Sequence, residues 1–172
     1  MDSRLPKIVF VMIAIIAAIY FRSNYSQLPE IVASHFDARG VANGWQSKST
    51  FLTGFAGVVA LAAMLTFGVP VFISKMPAGL INLPHKEYRL ALERRDATMA
   101  VLRGSFAWFG CGVLVVVTTA INYAVGRNLY PETQMNPPAL VYVLGGFVIF
   151  ALVWSIRILA YFSRVPRQDV RS

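Results

Sequence analysis

The sequence predicts an all-α integral membrane protein, with four transmembrane helices in a compact bundle and a small extracytoplasmic cap loop. A mean hydropathy of +0.57 and an apolar content of 56% exclude an ordinary soluble domain. Four long apolar runs contain no aspartate or glutamate: residues 5–21, 51–73, 104–125 and 139–160. A bilayer core about 30 Å thick needs roughly 20 residues of helix, so each run is able to cross it. A helix also satisfies its own backbone hydrogen bonds, which lipid cannot do.

The first run is predicted to be a retained membrane anchor rather than a cleaved signal peptide. Arg4 and Lys7 precede the apolar stretch, as they would in a signal peptide. However, Tyr20-Phe21-Arg22 offers none of the small residues that a cleavage site requires.

Three features inside the other runs predict local structure. Pro70 lacks a backbone donor and predicts a kink near the end of the second run. Asn122, an intramembrane polar residue in the third run, is either hydrogen-bonding glue between helices or a substrate contact. In the fourth run, Gly145-Gly146 is either a point of close helix contact or a flexible joint.

The basic residues are concentrated on one side of the predicted membrane. With four crossings, the two tails and the loop at 74–103 share a side and hold twelve of the 16 lysines and arginines. Because positively charged loops stay in the cytoplasm, both termini are predicted to be cytoplasmic. The net charge of +8 then indicates orientation and attraction to anionic lipid head groups. It is not interpreted as a sign of nucleic-acid binding.

The outer loop, residues 22–50, is the most distinctive polar segment and is interpreted as the cap. Turn chemistry occurs twice, in Asp37-Ala38-Arg39-Gly40 and in Asn43-Gly44. Ile31–Phe36 is short and partly β-branched, which favours an extended piece, although a helical turn also fits. Trp45 is placed for the membrane interface.

This loop resembles a known family. The residues that carry the resemblance are Leu28-Pro29, His35-Phe36, Gly40, Gly44-Trp45 and Ser47-Lys48. They are similar to the signature of domain of unknown function 1648, which occurs in small bacterial membrane proteins and in SdpI-type immunity and signalling proteins. Ala33 departs from a common proline and Asn43 from a common aspartate. What the resemblance implies is topology, together with an immunity or signalling role.

The resemblance extends into the inner loop, residues 74–103, at Asn82–Tyr88 and at Glu93-Arg94-Arg95. There Arg89 and Leu92 stand where a tryptophan and a proline are more usual. Independently of the family, one helical face of this loop collects Tyr88, Leu92, Arg95, Met99 and Leu102. The pattern predicts an amphipathic helix that lies on the cytoplasmic leaflet before turning into the third run, or alternatively docks a cytoplasmic partner.

The outer loop supplies the candidate recognition residues: His35, Phe36, Asp37, Gly40, Gly44, Trp45 and Lys48. His35 is interpreted as a structural residue that hydrogen-bonds the loop. The alternatives are an ion contact together with Asp37 or a sensor of external pH, since the unperturbed histidine pKa is about 6.5. The inner-loop candidates are His85, Glu93, Arg94 and Arg95. No metal site, cofactor or catalytic set is predicted, because the two histidines fall on opposite sides and no catalytic motif occurs.

These observations favour a non-enzymatic accessory, sensory or immunity-like protein that recognises a peptide or protein ligand with its outer loop. A small transporter or permease component, with Asn122 and Gly145-Gly146 lining a path, is the alternative. The absence of acidic residues from the runs counts against a proton-coupled pump or ion exchanger. A membrane enzyme is the least favoured class.

Overall fold

The structure is a computed structural model that describes residues 4–37, 39–132 and 138–164. In that part of the chain, six α-helices and one two-stranded sheet account for most residues. In chain order the elements are α1 (Arg4–Tyr25), β1 (Ile31–Phe36), β2 (Ala42–Ser47), α2 (Lys48–Ala63), a π-helical segment (Met64–Gly68), α3 (Val69–Lys75), a 3-10 turn (Ala78–Leu80), α4 (Lys86–Arg89), α5 (Leu92–Leu129) and α6 (Pro138–Ser163).

Four helical stretches are long and apolar enough to cross a membrane: Arg4–Tyr25, Lys48–Lys75, Leu92–Leu129 and Val141–Ser163. The first three apolar runs of the sequence fall within these stretches, and the fourth, residues 139–160, falls within α6. The prediction of four helices that are long and apolar enough to cross a membrane is therefore confirmed. Of the basic residues assigned to the inner side, Arg167 and Arg171 lie outside the described residues.

The 38-residue helix α5 is the element on which the other helices pack. Helix α1 runs alongside it in the same direction, whereas the α2–α3 stretch and α6 run in the opposite direction. Ala107 and Leu114, near the middle of α5, are fully buried. We call the end that carries the two strands the hairpin end, and the end that carries α4 the loop end.

Three clusters of buried side chains follow α5 from one end to the other. The hairpin-end cluster contains Ala17, Phe21, Leu28, Val32, Phe51, Phe55, Ala124 and Val125. The middle cluster contains Phe10, Ala62, Cys111 and Leu114. The loop-end cluster contains Ile81, Leu90, Met99, Leu102 and Phe162. The strands and the inner loop are therefore packed onto the helices rather than detached from them.

The outer loop forms an antiparallel hairpin, which confirms the extended reading of Ile31–Phe36. The chain reverses between Asp37 and Val41, where the Asp37 N–H donates to the Val41 carbonyl at 2.8 Å. Gly40 has a φ of 78°, a left-handed conformation that glycine adopts without strain.

The prediction of a second turn, at Asn43-Gly44, is wrong, because both residues lie inside β2. The reason is that the Asp37 carboxylate accepts hydrogen bonds from the Arg39 and Val41 N–H groups, at 2.9 Å each. The aspartate and Gly40 thus form the reversal by themselves, and Asn43-Gly44 is left to extend the strand.

The helical stretch Lys48–Lys75 changes its hydrogen-bond pattern just before Pro70, where the sequence predicts a kink. The segment Met64–Gly68 is π-helical, and the Val69 N–H bonds to the Met64 carbonyl five residues back. Proline has no N–H to donate, so the hydrogen-bond ladder is already broken at this position. The widened turn also places Thr66 in the buried interface with α5.

The amphipathic segment of the inner loop differs from its prediction. Residues 92–103 continue without a turn into the third span as part of α5, and Leu92 is 91% exposed. Tyr88 belongs to the separate short helix α4, because Ala91 is extended and begins α5 as its N-cap. The Ala91 carbonyl accepts the N–H groups of Arg94 and Arg95, at 2.9 Å each, which fixes this start.

Gly110 on α5 offers a direct test of the packing against the π-helical segment. An added Cβ would clash with Thr66 Oγ1 and lie 2.9 Å from Thr66 Cβ, whereas an added Cβ at Gly104 meets nothing within 4 Å. We expect Gly110→Ala to lower the free energy of unfolding in mixed detergent micelles by about 1–3 kcal/mol. Gly104→Ala is the matched control and should be neutral or slightly stabilising. Equal effects of the two variants would contradict this packing.

Candidate functional site

Asn128, near the end of α5, holds the hairpin by its first strand. Its Oδ1 accepts the Ala33 N–H at 2.8 Å, and its Nδ2 donates to the Ala33 carbonyl at 2.8 Å. The same Nδ2 also donates to the Ala124 carbonyl at 2.8 Å, which fixes the amide on its own helix. At this one residue of β1, the side chain therefore pairs with the backbone as a neighbouring strand would.

Apolar contacts on one face of the hairpin reinforce this attachment. Val32 is fully buried in the hairpin-end cluster, next to Ala33 in the sequence. The Phe36 ring meets the Tyr123 ring edge to face, with 5.2 Å between their centroids. Because both contacts come from β1, the first strand is the attached one and β2 is the outer one.

The outer edge of β2 offers backbone groups that no other strand uses. Ala33 lies opposite Trp45, and its N–H and carbonyl point away from β2 toward Asn128. In an antiparallel pair of strands, the N–H and carbonyl groups of two opposite residues either point toward each other and bond, or all point away from the partner strand. The N–H and carbonyl of Trp45 therefore face the free edge, along which no further strand pairs within the described part of the chain.

Apolar side chains are exposed beside this free edge. Trp45 is 61% exposed and Ile31 is 60% exposed. These two side chains share a face of the sheet, since Ile31 pairs with Ser47 and Trp45 pairs with Ala33. Val41, at the reversal, is also exposed. We call Ile31, Val41, Trp45 and the outward backbone of β2 the hairpin edge.

His35, which lies opposite Gly44 in the hairpin, explains why a glycine suits position 44. A Cβ at position 44 would lie 3.0 Å from His35 Cβ and 3.1 Å from its Nδ1. The His35 Nδ1 lies 3.0 Å from Ser34 Oγ, and the ring is exposed. The Asp37 carboxylate instead pairs with the Arg39 guanidinium at 3.3 Å. The structure thus joins His35 to Gly44 and Asp37 to Arg39.

Ser47 and Lys48 fix the entry of the chain into the second span. Ser47 is the N-cap of α2, and its Oγ accepts the Thr50 N–H at 3.1 Å. The Lys48 ammonium lies 2.7 Å from the Glu30 carboxylate and 5.5 Å from the centre of the Tyr25 ring. The sequence analysis named Lys48 as a recognition candidate but did not predict its pairing with Glu30.

The hydrogen bonds at the reversal also change the pKa of the Asp37 carboxyl group. The pKa of Asp37 is lowered from its ordinary value, chiefly by the hydrogen bond from the Val41 N–H. The N–H and guanidinium of Arg39 act in the same direction, against the opposing effect of desolvation. The ionised carboxylate is therefore the form that the reversal stabilises.

At the loop end, the basic residues of the inner loop bind the ends of helices. Arg89, which is buried, donates from its guanidinium to the Tyr161 carbonyl at 2.5 Å and to the Arg164 carbonyl at 2.6 Å. The His85 Nε2 lies 3.2 Å from the Ser163 carbonyl, also at the end of α6. These contacts satisfy carbonyl groups that a helix leaves without partners at its C-terminus.

Arg95 donates hydrogen bonds in the same way to carbonyl groups at the end of α3. Its guanidinium donates to the Met76 carbonyl at 2.6 Å and to the Ser74 carbonyl at 3.2 Å. The Arg94 guanidinium stacks 4.3 Å from the centre of the Tyr88 ring, and Glu93 is exposed in the first turn of α5. The inner-loop candidates His85, Arg94 and Arg95 thus have structural contacts, at the opposite end of α5 from His35.

The residues named for a transport path lie on the outer surface of this chain. Asn122 is exposed and has no hydrogen-bond partner among the described residues. A Cβ added at Gly145 or Gly146 would meet no atom within 4 Å, and both glycines are exposed. Among the described residues, no group of three or more histidine, cysteine, aspartate or glutamate side chains is placed to hold a metal ion.

Two structural residues escaped the sequence analysis. Asn128 lies 95 positions from Ala33, and no local pattern marks such a partner. Arg89 offered one signal, because it stands where the resembling family more often has a tryptophan. Its buried guanidinium lies 4.5 Å from the centre of the Tyr161 ring.

Comparison with known proteins gives one result. Residues 11–60 match the family model described as a domain of unknown function, DUF1648. The matched segment begins inside α1, includes the whole hairpin and ends inside α2. The resemblance seen in the outer loop is therefore confirmed, whereas that seen in the inner loop lies outside the matched range. No curated protein and no solved structure shows a significant match to this chain.

Replacing Asn128 with leucine should loosen the hairpin. The variant leaves the Ala33 N–H and carbonyl without partners at a part-buried position, which we expect to lower the free energy of unfolding by about 1–2 kcal/mol. Asn122→Leu is the matched control on the same helix, and it should leave stability unchanged or raise it slightly. Unfolding in mixed micelles measures both. A larger loss in the Asn122 variant would contradict the role of Asn128.

The reversal should also open at low pH. Because the folded-state pKa of Asp37 is lowered, its stabilisation is fully present above the unfolded value of 3.8 and disappears as the pH falls through the folded value. Carbon-13 NMR of the Asp37 carboxyl should give a pKa below 3.8, and the Gly40 amide shift should follow the same titration. Asp37→Asn should abolish this titration. An ordinary pKa would show that the carboxylate does not hold the turn.

Proposed function

Since this chain carries a DUF1648 domain, we propose that it is a non-enzymatic accessory, sensory or immunity-like protein of a bacterial plasma membrane. In this proposal its hairpin recognises a peptide or protein ligand outside the cytoplasm. The four apolar helices form a compact transmembrane bundle, the hairpin caps its outer face, and both termini are cytoplasmic. The distribution of lysine and arginine supports this orientation, because the inner loop and tails hold most of them.

The free edge of β2 is the observation that carries the proposed recognition. An extended peptide can add to such an edge, with its main chain bonding to the outward N–H and carbonyl of Trp45. Apolar side chains of the ligand would then pack on Trp45 and Ile31, which are exposed on one face beside that edge. On the other edge, Asn128 bonds the backbone of Ala33 and α5 packs against β1, so the ligand would approach from the β2 side.

The attachment of the hairpin favours binding over mere surface exposure. An isolated two-stranded hairpin is marginally stable in water and would lose conformational freedom on binding a ligand. Here Asn128 and the burial of Val32 have already fixed β1 on α5. The edge is therefore preorganised, which reduces the entropic cost of association.

The ligand chemistry that fits this edge is an extended, partly apolar segment. A peptide that acts at the membrane surface meets that description, and the family resemblance favours an immunity or signalling role for its recognition. Lys48 and Glu30 are paired with each other near the start of β1 and the end of β2. The proposal therefore relies on backbone pairing and apolar contact more than on charge.

Peptide selection gives a test that does not require the natural ligand. Peptides selected from a displayed random library on the full chain in nanodiscs should include extended sequences that bind the hairpin edge. Trp45→Ala removes the aromatic contact and should weaken them by roughly tenfold or more. Trp45→Pro also removes the outward N–H, so it should weaken them further.

Tyr142→Ala is the matched control, because Tyr142 is an exposed aromatic residue on α6 at 75% exposure. It should leave the affinity of the selected peptides unchanged. Selected peptides that bind the wild-type protein and Trp45→Pro equally would reject the hairpin edge as the recognition site. In that event Trp45 serves the membrane interface instead.

A further inference from the structure

An open groove runs between α5 and α6 toward the loop end. Its volume is about 520 Å³, within the roughly 300–1,000 Å³ typical of small-molecule sites. Its walls are mainly apolar and aromatic, and they include Val101, Trp108, Phe150 and Val153. Arg157 is the one charged residue among those that the structure shows lining it.

The guanidinium of Arg157 has no counter-charge in the described part of the chain. The residue is exposed on α6, and no described carboxylate or carbonyl pairs with it. It lies six residues before the end of α6 at Ser163, which corresponds to about 9 Å along the helix. A long basic side chain at that depth reaches the head-group region of a bilayer.

The aromatic walls of the groove are held in place by contacts inside the protein. The Trp154 indole N–H donates to the Ser105 carbonyl at 2.9 Å, which joins α6 to α5. The Trp154 and Phe109 rings lie 4.7 Å apart between their centroids. Because these contacts fix the wall independently of any ligand, the groove is preformed.

We propose that this groove binds one anionic phospholipid of the surrounding leaflet, with the phosphate at Arg157 and an acyl chain along the apolar wall. The groove lies between two helices that are each apolar enough to cross a membrane, so lipid is the molecule that surrounds it. A single unpartnered guanidinium at the head-group end selects a negative head group. An apolar helix of another protein would fill the wall but leave that charge without a partner.

Tryptophan quenching by brominated lipids tests this site in the full chain. The protein has three tryptophans, and in a Trp45→Phe background the other two both line the groove. In nanodiscs of neutral phosphatidylcholine, brominated phosphatidylglycerol should quench at roughly fivefold lower mole fraction than brominated phosphatidylcholine. Arg157→Gln should abolish this preference, while Arg103→Gln, a basic residue of α5 that does not line the groove, should preserve it.

A second variant addresses the apolar part of the site. Ser105→Leu places a larger apolar side chain in the groove wall and should reduce the preference for phosphatidylglycerol even though Arg157 remains. Equal quenching by the two lipids in the wild-type protein, or a preference that persists in Arg157→Gln, would overturn the proposal. Quenching that declines as the protein-to-lipid ratio rises would show that a second copy fills the groove, and it would overturn the proposal as well.

Discussion

The pairing of the Asn128 amide with the backbone of Ala33 is the interaction on which the hairpin end depends. Two strands alone do not form an independently stable sheet, so the hairpin requires a support outside itself. The amide supplies it by accepting and donating at one residue, at 2.8 Å in each direction. That attachment decides which strand faces the helices, which face is buried at Val32 and which edge stays open at Trp45.

The loop end follows the same physical rule with different side chains. A helix leaves the carbonyl groups of its last turn without donors from its own backbone. Arg89 supplies donors to the end of α6, and Arg95 supplies them to the end of α3. A guanidinium suits this task because it presents several donors and complements the negative end of the helix dipole. The inner loop thus connects the ends of two helices that run in the same direction.

The sequence predicts the parts of this fold that depend on local pattern. Apolar length is sufficient for the four helices, β-branching favours the first strand, and Pro70 marks the interruption of the second span. Local pattern fails where two neighbouring segments are both suited to form a turn. Asp37 and Gly40 form the reversal, and Asn43-Gly44 is left inside a strand.

Local pattern also fails to identify residues whose hydrogen-bond partners lie far away along the chain. Asn128 resembles any polar residue at a helix end, and its role depends on a strand 95 positions away. For the candidate site, the sequence identified Trp45, Gly44 and His35, but only the pairing register shows that Gly44 accommodates His35 and that the backbone of Trp45 faces outward.

Amide hydrogen exchange at Ala33 tests the attachment of the hairpin by Asn128 most directly, because the Ala33 N–H points away from β2. The account predicts strong protection in the wild-type protein and its loss in Asn128→Leu, whereas rapid exchange in the wild-type protein would contradict it.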